Sequence, residues 1–299
     1  MAKLKIEDKV WQILIEGLKI YFTNIGEFTK YMLFPVFGQI LGIILIFAPT
    51  VWFTFSIHDL VEKYSIFNNI MAVFLTIMLI CLPGFVILVK AFWDYMVAYG
   101  ALNSMTSAII TTGKLYDLKA HTQVITQRTL KFISLLCLIS LYYLIAINPL
   151  FWVIGIIFFV YFILLFQVFA LEEDITVIGC FKRSLELIKG NFARTFLLLS
   201  ILVIISYYIL NAGVSVLFEV TKISDILRTL FEPFANTLPL EDINITLAYF
   251  KLPEITALKV ANNILSSSIL FIVTGLTLPM RSICWTLWYK NLSSLKVKK

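Results

Sequence analysis

The sequence predicts an all-α, polytopic membrane protein with six transmembrane helices, and three observations carry that prediction. Of the 299 residues, 60% are hydrophobic and 14% charged, and the mean hydropathy is +0.93. A soluble domain carries roughly 45–50% apolar and about 25% charged residues, so the excess has to face lipid rather than enlarge a core. The apolar residues also run continuously for the length of a bilayer-crossing helix, about 20 residues, instead of alternating as the strands of a β-barrel do. Finally, the 24 Lys and Arg residues fall unevenly on the flanks of those runs.

Residues 4–23 come first and are amphipathic. Ile6, Val10, Ile13, Leu14, Leu18 and Tyr21 share one helical face, and Asp8, Lys9, Gln12, Glu16 and Lys19 share the other, the pattern of a helix lying in the membrane interface. The first apolar run begins only at Tyr31, late and long for a signal-peptide core, so insertion is expected to use the first crossing. Residues 31–58 and 64–89 are uncharged and form crossings one and two. Gly38 and Gly42 make a small-residue pair, a weak signal by itself, read as loose helix packing. Past Lys90 and Asp94 the chain stays helix-compatible to about Gly113. These two charges sit four apart on one face. They read as a neutralising pair with a snorkelling lysine at the membrane edge, or else as a gate or proton relay.

Residues 116–131 form a second mildly amphipathic piece. Residues 132–171 are uncharged for 40 positions, enough for two crossings with Asn148-Pro149 as the turn. The stretch 172–196 then packs charge tightly. Val177, Phe181, Ser184, Leu185 and Ile188 lie on one helical face, and Lys182, Arg183, Glu186 and Lys189 on the other. It is the third predicted interfacial helix, and Lys182, Arg183, Lys189 and Arg194 are its candidate lipid-headgroup residues. A fifth crossing covers 195–218. The polar loop 219–259 contains helix-like pieces at 223–230 and 243–250. The sixth crossing covers 260–280, with Trp285, Trp288 and Tyr289 expected as an aromatic belt behind it.

Lys and Arg number five before residue 31, five over 90–131, four over 172–194 and five from 281 onward, against one at 63 and four over 219–259. The positive-inside rule therefore predicts cytoplasmic N- and C-termini, an external 219–259 loop, and a bacterial inner (cytoplasmic) membrane location. In this setting a net charge of +6 points to the anionic cytoplasmic leaflet and away from nucleic acid.

The chain reads as a single integral membrane domain, residues 1–299. Its grammar is an interfacial helix followed by a hairpin, in units 1–113, 114–173 and 174–299. At an offset of 167, Gly17 meets Ser184, Leu18 meets Leu185, Asn24 meets Asn191 and Gly26 meets Ala193; at 191, Lys90 meets Arg281. A three-fold parallel repeat is one reading. The alternative is that any chain of membrane hairpins shows such grammar.

Several motifs point further. The stretch ALEEDITVIGCFKRSLELIKGNFARTF (170–196) carries Glu172, Arg183-Ser184, Leu187 and Gly190-Asn191-Phe192. The stretches WTLWYKNLSSL (285–295) and GLKIYFTNIGEF (17–28) accompany it. Together they resemble a group of uncharacterised bacterial six-helix membrane families, among them the membrane domain attached to some glycerophosphoryl diester phosphodiesterases. The resemblance implies a fold and an inner-membrane location. It implies no catalytic site, because the phosphodiesterase chemistry of the fused members belongs to a separate soluble barrel.

Chemistry is sparse. Cys81, Cys137, Cys180 and Cys284 show no metal-ligand spacing and are expected as small buried hydrophobes. His58 and His121 fall on opposite predicted sides, and no nucleophile elbow or phosphate loop occurs. Glu172, Glu173 and Asp174 beside Lys182 and Arg183 read as a charged helix junction. No cofactor or metal is expected. The leading expectation is a non-enzymatic membrane module that contacts lipids or other envelope proteins. A transporter, with Lys90, Asp94, Asn211, Asn262 and Asn263 as an intramembrane polar site, is the alternative, and a membrane-embedded enzyme of lipid metabolism the third.

Overall fold

The computed structural model describes residues 9–115, 117–146 and 148–297. Ile6 and Asp8 of the first predicted helix, Tyr116 and the last two lysines lie outside that range. Among the described residues the chain is 88% helical with no strands, and six helical stretches are long and apolar enough to cross a membrane. They are Ile25–Lys63, Ile70–Thr112, Thr129–Ala146, Pro149–Leu171, Phe192–Val220 and Ala257–Leu276.

Fourteen α-helices are present among the described residues: α1 Val10–Thr23, α2 Ile25–Lys63, α3 Ile70–Thr112, α4 Leu118–Thr126, α5 Thr129–Ala146, α6 Trp152–Tyr161, α7 Leu165–Leu171, α8 Val177–Ile188, α9 Phe192–Val203, α10 Leu210–Val220, α11 Ile223–Asn236, α12 Leu240–Tyr249, α13 Ala257–Leu276 and α14 Leu278–Val297. A π-helical turn, Ile204–Ile209, joins α9 to α10.

Local chemistry sets the boundaries. Thr176 accepts the Gly179 N–H (3.0 Å) to cap α8. Gly190, at φ 87°, ends that helix in the left-handed conformation that a side chain resists. Asp117 accepts the Lys119 N–H (3.0 Å) at the head of α4. Asn148 accepts the Leu150 N–H (3.1 Å), which builds the Asn-Pro turn where the sequence places it.

Two compact units share the chain. One comprises residues 1–32, 93–204 and 276–299; the other comprises 33–92 and 205–275. The chain passes between them four times. One passage coincides with the π-turn and another with the break at Thr277 that separates α13 from α14.

The first unit is built around α14. Most of its side chains are buried, with α1, α7 and α8 packed against it. Trp285, Trp288 and Tyr289 are core residues, not an interfacial belt. Trp288 is 1% exposed, and its indole N–H donates to Thr195 Oγ1 (3.0 Å). The indole finds its polar partner on α9, so it needs no headgroup. Gly17 lets α1 approach α14 closely, because a Cβ there would overlap the Cys284 sulfur.

The helices expected to be interfacial dock differently from the expectation. On α1 the face of Val10, Ile13, Leu14 and Tyr21 is buried in protein, while Trp11, Ile15 and Phe22 are exposed. On α8 the buried face is Cys180, Ser184, Leu187 and Ile188. It is rotated from the predicted one, so Leu185 points out and Arg183 turns partly in. Protein packing, rather than lipid, takes up the more continuous apolar stripe of each helix. Val177 and Phe192 begin α8 and α9 exactly 167 residues after Val10 and Ile25 begin α1 and α2. Ile13, Gly17, Ile20 and Tyr21 correspond in burial to Cys180, Ser184, Leu187 and Ile188.

In the second unit α2 and α3 meet through glycine. A Cβ on Gly42 would lie 2.7 Å from the Leu88 backbone nitrogen, and one on Gly84 would lie 2.8 Å from the Ile46 nitrogen. Gly38-x-x-x-Gly42 therefore marks a tight backbone approach, not the loose packing expected of it. The helix-like pieces of the 219–259 loop are α11 and α12. Leu265, Ile269 and Val273 of α13 form a core with Leu210, Val214, Phe218, Leu227 and Phe231.

Candidate functional site

Inside the first unit, polar side chains are organised around two centres and one cleft. The deepest centre is Asn103 on α3. Its Oδ1 accepts from Gln167 Nε2 (3.1 Å), Ser282 Oγ (2.8 Å) and Thr286 Oγ1 (3.1 Å), and its Nδ2 donates to the Tyr99 carbonyl (3.1 Å). All four side chains are buried. A buried amide has to be satisfied, and here the satisfaction ties α3, α7 and α14 together.

The second centre is Glu172. Arg183 Nε donates to Glu172 Oε1 at 2.9 Å, and Tyr289 OH donates to the same oxygen at 2.8 Å. The Glu172 bond holds the Arg183 proton more tightly than usual. Burial, then the bond to Glu172, pushes the Tyr289 phenol well above its ordinary range. The charged junction at 172–183 is thus an ion pair with a phenol added.

The cleft has a volume of about 580 Å3. Ser104, Ser107 and Thr111 of α3 line it, with His121 and Gln127, then Arg128, and finally Glu173 and Asp174 from the turn before α8. His121 Nδ1 lies 3.0 Å from Ser104 Oγ. Its Nε2 is buried with no partner among the described residues. Burial lowers the His121 pKa, and Asp117 opposes this more weakly, so the ring is neutral at neutral pH. The Arg128 guanidinium stands 4.7 Å from the Phe169 ring centroid. Its Nε donates to the Val124 carbonyl (3.4 Å) and its NH1 to the Glu172 carbonyl (3.2 Å). Among the described residues no carboxylate pairs with it. Behind the Ser107 wall, Lys290 Nζ donates to the Ser107 carbonyl (3.4 Å), and burial lowers this lysine's pKa.

The residues singled out in the sequence are dispersed. Lys182 and Lys189 are exposed on α8, and Arg194 is exposed in the first turn of α9. Arg183 is 31% exposed and engaged with Glu172. Lys90 and Asp94 both lie on α3, one helical turn apart, and Lys90 Nζ stands 5.8 Å from the Phe34 ring centroid. Asn211 and Asn262, both in the second unit, each keep a buried Oδ1 without a partner among the described residues, and Asn263 is exposed. Cys180 and Cys284 are buried, with thiols pushed up to about 11 and about 12 by burial; Cys81 is half-buried and Cys137 exposed.

Asn103, Ser104 and Arg128 escaped the sequence reading. Asn103 and Ser104 sit in a run of small residues with no periodic signature. Arg128 looked like one basic flank residue among five. No family model, curated protein or solved structure matches the chain.

Proposed function

We propose that this protein is a non-enzymatic integral membrane module that contacts lipids or other envelope proteins through helices lying at the cytoplasmic surface of the inner membrane. One observation carries the reading. After docking on protein, α1 and α8 still turn large apolar side chains outward with basic ones among them. On α1 these are Trp11, Ile15 and Phe22 with Lys19; on α8 they are Ile178 and Leu185 with Lys182 and Lys189. A soluble surface hides such side chains, whereas an interface accommodates both kinds. The mildly amphipathic α4 joins them on its sequence pattern alone, because its outward residues are Lys119, Ala120, Gln123 and Thr126. The lopsided distribution of Lys and Arg supports cytoplasmic termini. The matched helix starts and burial at an offset of 167 support a parallel repeat of helix plus hairpin. Gly84 and Gly275, both at close approaches and 191 residues apart, add to it. The likeness to the membrane domain of some glycerophosphoryl diester phosphodiesterases points the same way.

The test is substitution of Lys182, Lys189 and Arg194 by Gln, one at a time, with crosslinking to anionic lipid in reconstituted vesicles. Each basic residue near a charged surface contributes about 1 kcal/mol, so three small, graded losses are expected. Unchanged crosslinking in all three would rule out this surface.

A transporter remains the second reading, favoured by the buried, partnerless carbonyl oxygens of Asn211 and Asn262. Acceptors of that kind at bilayer depth suit a solute path. Solute uptake into proteoliposomes that is lost in Asn262→Leu would favour it over the module.

A further inference from the structure

The α3–α4 cleft does not belong to the outward faces of α1 and α8, and its lining carries both signs of charge. On the basic side of this chemistry is Arg128. Two backbone carbonyls and an aromatic ring hold its guanidinium in place, yet it makes no ion pair among the described residues. An arginine fixed by neutral groups keeps N–H donors in a rigid fork, which suits a phosphate or carboxylate.

His121 adds a donor to that side. Serines and threonines along these helices typically spend their proton on a carbonyl one turn back, as Thr106 does on Leu102. Ser104 has no such bond among the described residues, and its hydroxyl faces His121 Nδ1 at 3.0 Å. With Ser104 donating to Nδ1, the neutral ring carries its proton on Nε2. That N–H is buried, has no partner among the described residues, and belongs to a residue 6% exposed that lines the cleft. A buried donor without an acceptor is costly, and a ligand oxygen would satisfy it. The rest of the charged lining is acidic. Glu173 and Asp174 line the same cleft and make no ion pair among the described residues. An anion alone would be repelled by them.

We propose that this cleft binds a phosphate ester that also carries a primary amine. Arg128 and His121 Nε2 hold the phosphate oxygens, and Glu173 and Asp174 accept the ammonium. The hydroxyls of Ser107 and Thr111 and the amide of Gln127 fill the sides. A volume of about 580 Å3 falls within the range of small-molecule sites, and the cleft is open enough to admit a headgroup that remains part of a lipid. Two sources share this chemistry, an aminoalkyl phospholipid headgroup and a free aminoalkyl phosphate. The proposal goes beyond the lipid-module reading, because it rests on the lining of the cleft and not on the outward helix faces.

The experiment uses the full chain in nanodiscs. Soluble O-phosphoethanolamine, inorganic phosphate and ethanolamine are titrated by calorimetry. In parallel, nanodiscs of phosphatidylethanolamine, phosphatidylcholine and phosphatidylglycerol are compared by lipid photocrosslinking at the cleft. Phosphoethanolamine binding tighter than phosphate or ethanolamine assigns a free solute. Crosslinking specific to phosphatidylethanolamine, with no soluble binding, assigns a lipid. Either result supports the site. Arg128→Gln should weaken the preferred probe roughly ten-fold, the loss of a charge-assisted fork. The double variant Glu173→Gln, Asp174→Asn lies on exposed side chains and should fold as the wild type. It should erase the preference for the amine and leave phosphate binding intact or stronger. Equal response to all three probes and all three lipids, or a preference that the double variant leaves unchanged, would overturn the proposal. The Gln variants of Lys182, Lys189 and Arg194 should leave binding in the cleft unchanged, so this site and the surface reading fail separately.

Discussion

Arg183 shows how a single side chain changes meaning once it is placed. In the sequence it belongs with Lys182 and Lys189 as a cation for lipid. In the structure its Nε donates to Glu172 Oε1, which also receives the Tyr289 hydroxyl. Arg183→Gln should therefore lower the stability of the detergent-solubilised protein by about 1–2 kcal/mol, between the value of an exposed pair and that of a charged hydrogen bond. Lys182→Gln should leave the unfolding midpoint within error. Equal effects would return Arg183 to the surface set. His121 makes a prediction in pH. Burial lowers its folded pKa below the ordinary 6.5, so the unfolded chain takes up a proton first on acidification. The stability linked to this ring is present above about pH 6.5 and is lost as the pH falls through the folded value. Thermal unfolding between pH 7.5 and 5 should show that loss, and His121→Gln should flatten it.

At the scale of elements, the close contact of α2 and α3 depends on having no side chain at Gly42. Gly42→Leu should force these helices apart and cost about 1–3 kcal/mol or more, the usual penalty for overpacking. Gly213→Ala, at a helical position with nothing within 4 Å of the added carbon, should be neutral or slightly stabilising. Thermal stability of the two variants side by side checks the pair; a tolerant Gly42→Leu would show that the approach is loose. Docking of α1 and α8 belongs to the same scale. Each helix has two usable faces, and the choice of which one enters the protein leaves the other exposed.

At the scale of the whole molecule, topology is the prediction. Reporter fusions after Lys299 and within 225–250 should report opposite compartments, the C-terminal one cytoplasmic. A shared compartment would refute the arrangement.

Six helical stretches of crossing length were legible in the sequence because bilayer thickness imposes a length on charge-free runs, and that length survives any packing. The turn at Asn148-Pro149 was readable for a similar reason, since it answers to local backbone chemistry. Trp288 and Tyr289 were not. An aromatic near a membrane edge looks the same in sequence whether it meets headgroups or, as here, Thr195 and Glu172 from other helices. The cleft was equally hidden. Ser104, His121, Arg128 and Glu173 come from separate segments, and only the packing of α3, α4 and the turn before α8 brings them together. Hydropathy and charge, summed along the chain, determined that this protein has helices able to cross a membrane and how many of them. Which face of each amphipathic helix is core, and which polar groups converge, depends on contacts between residues far apart in sequence, and only the tertiary structure decided them.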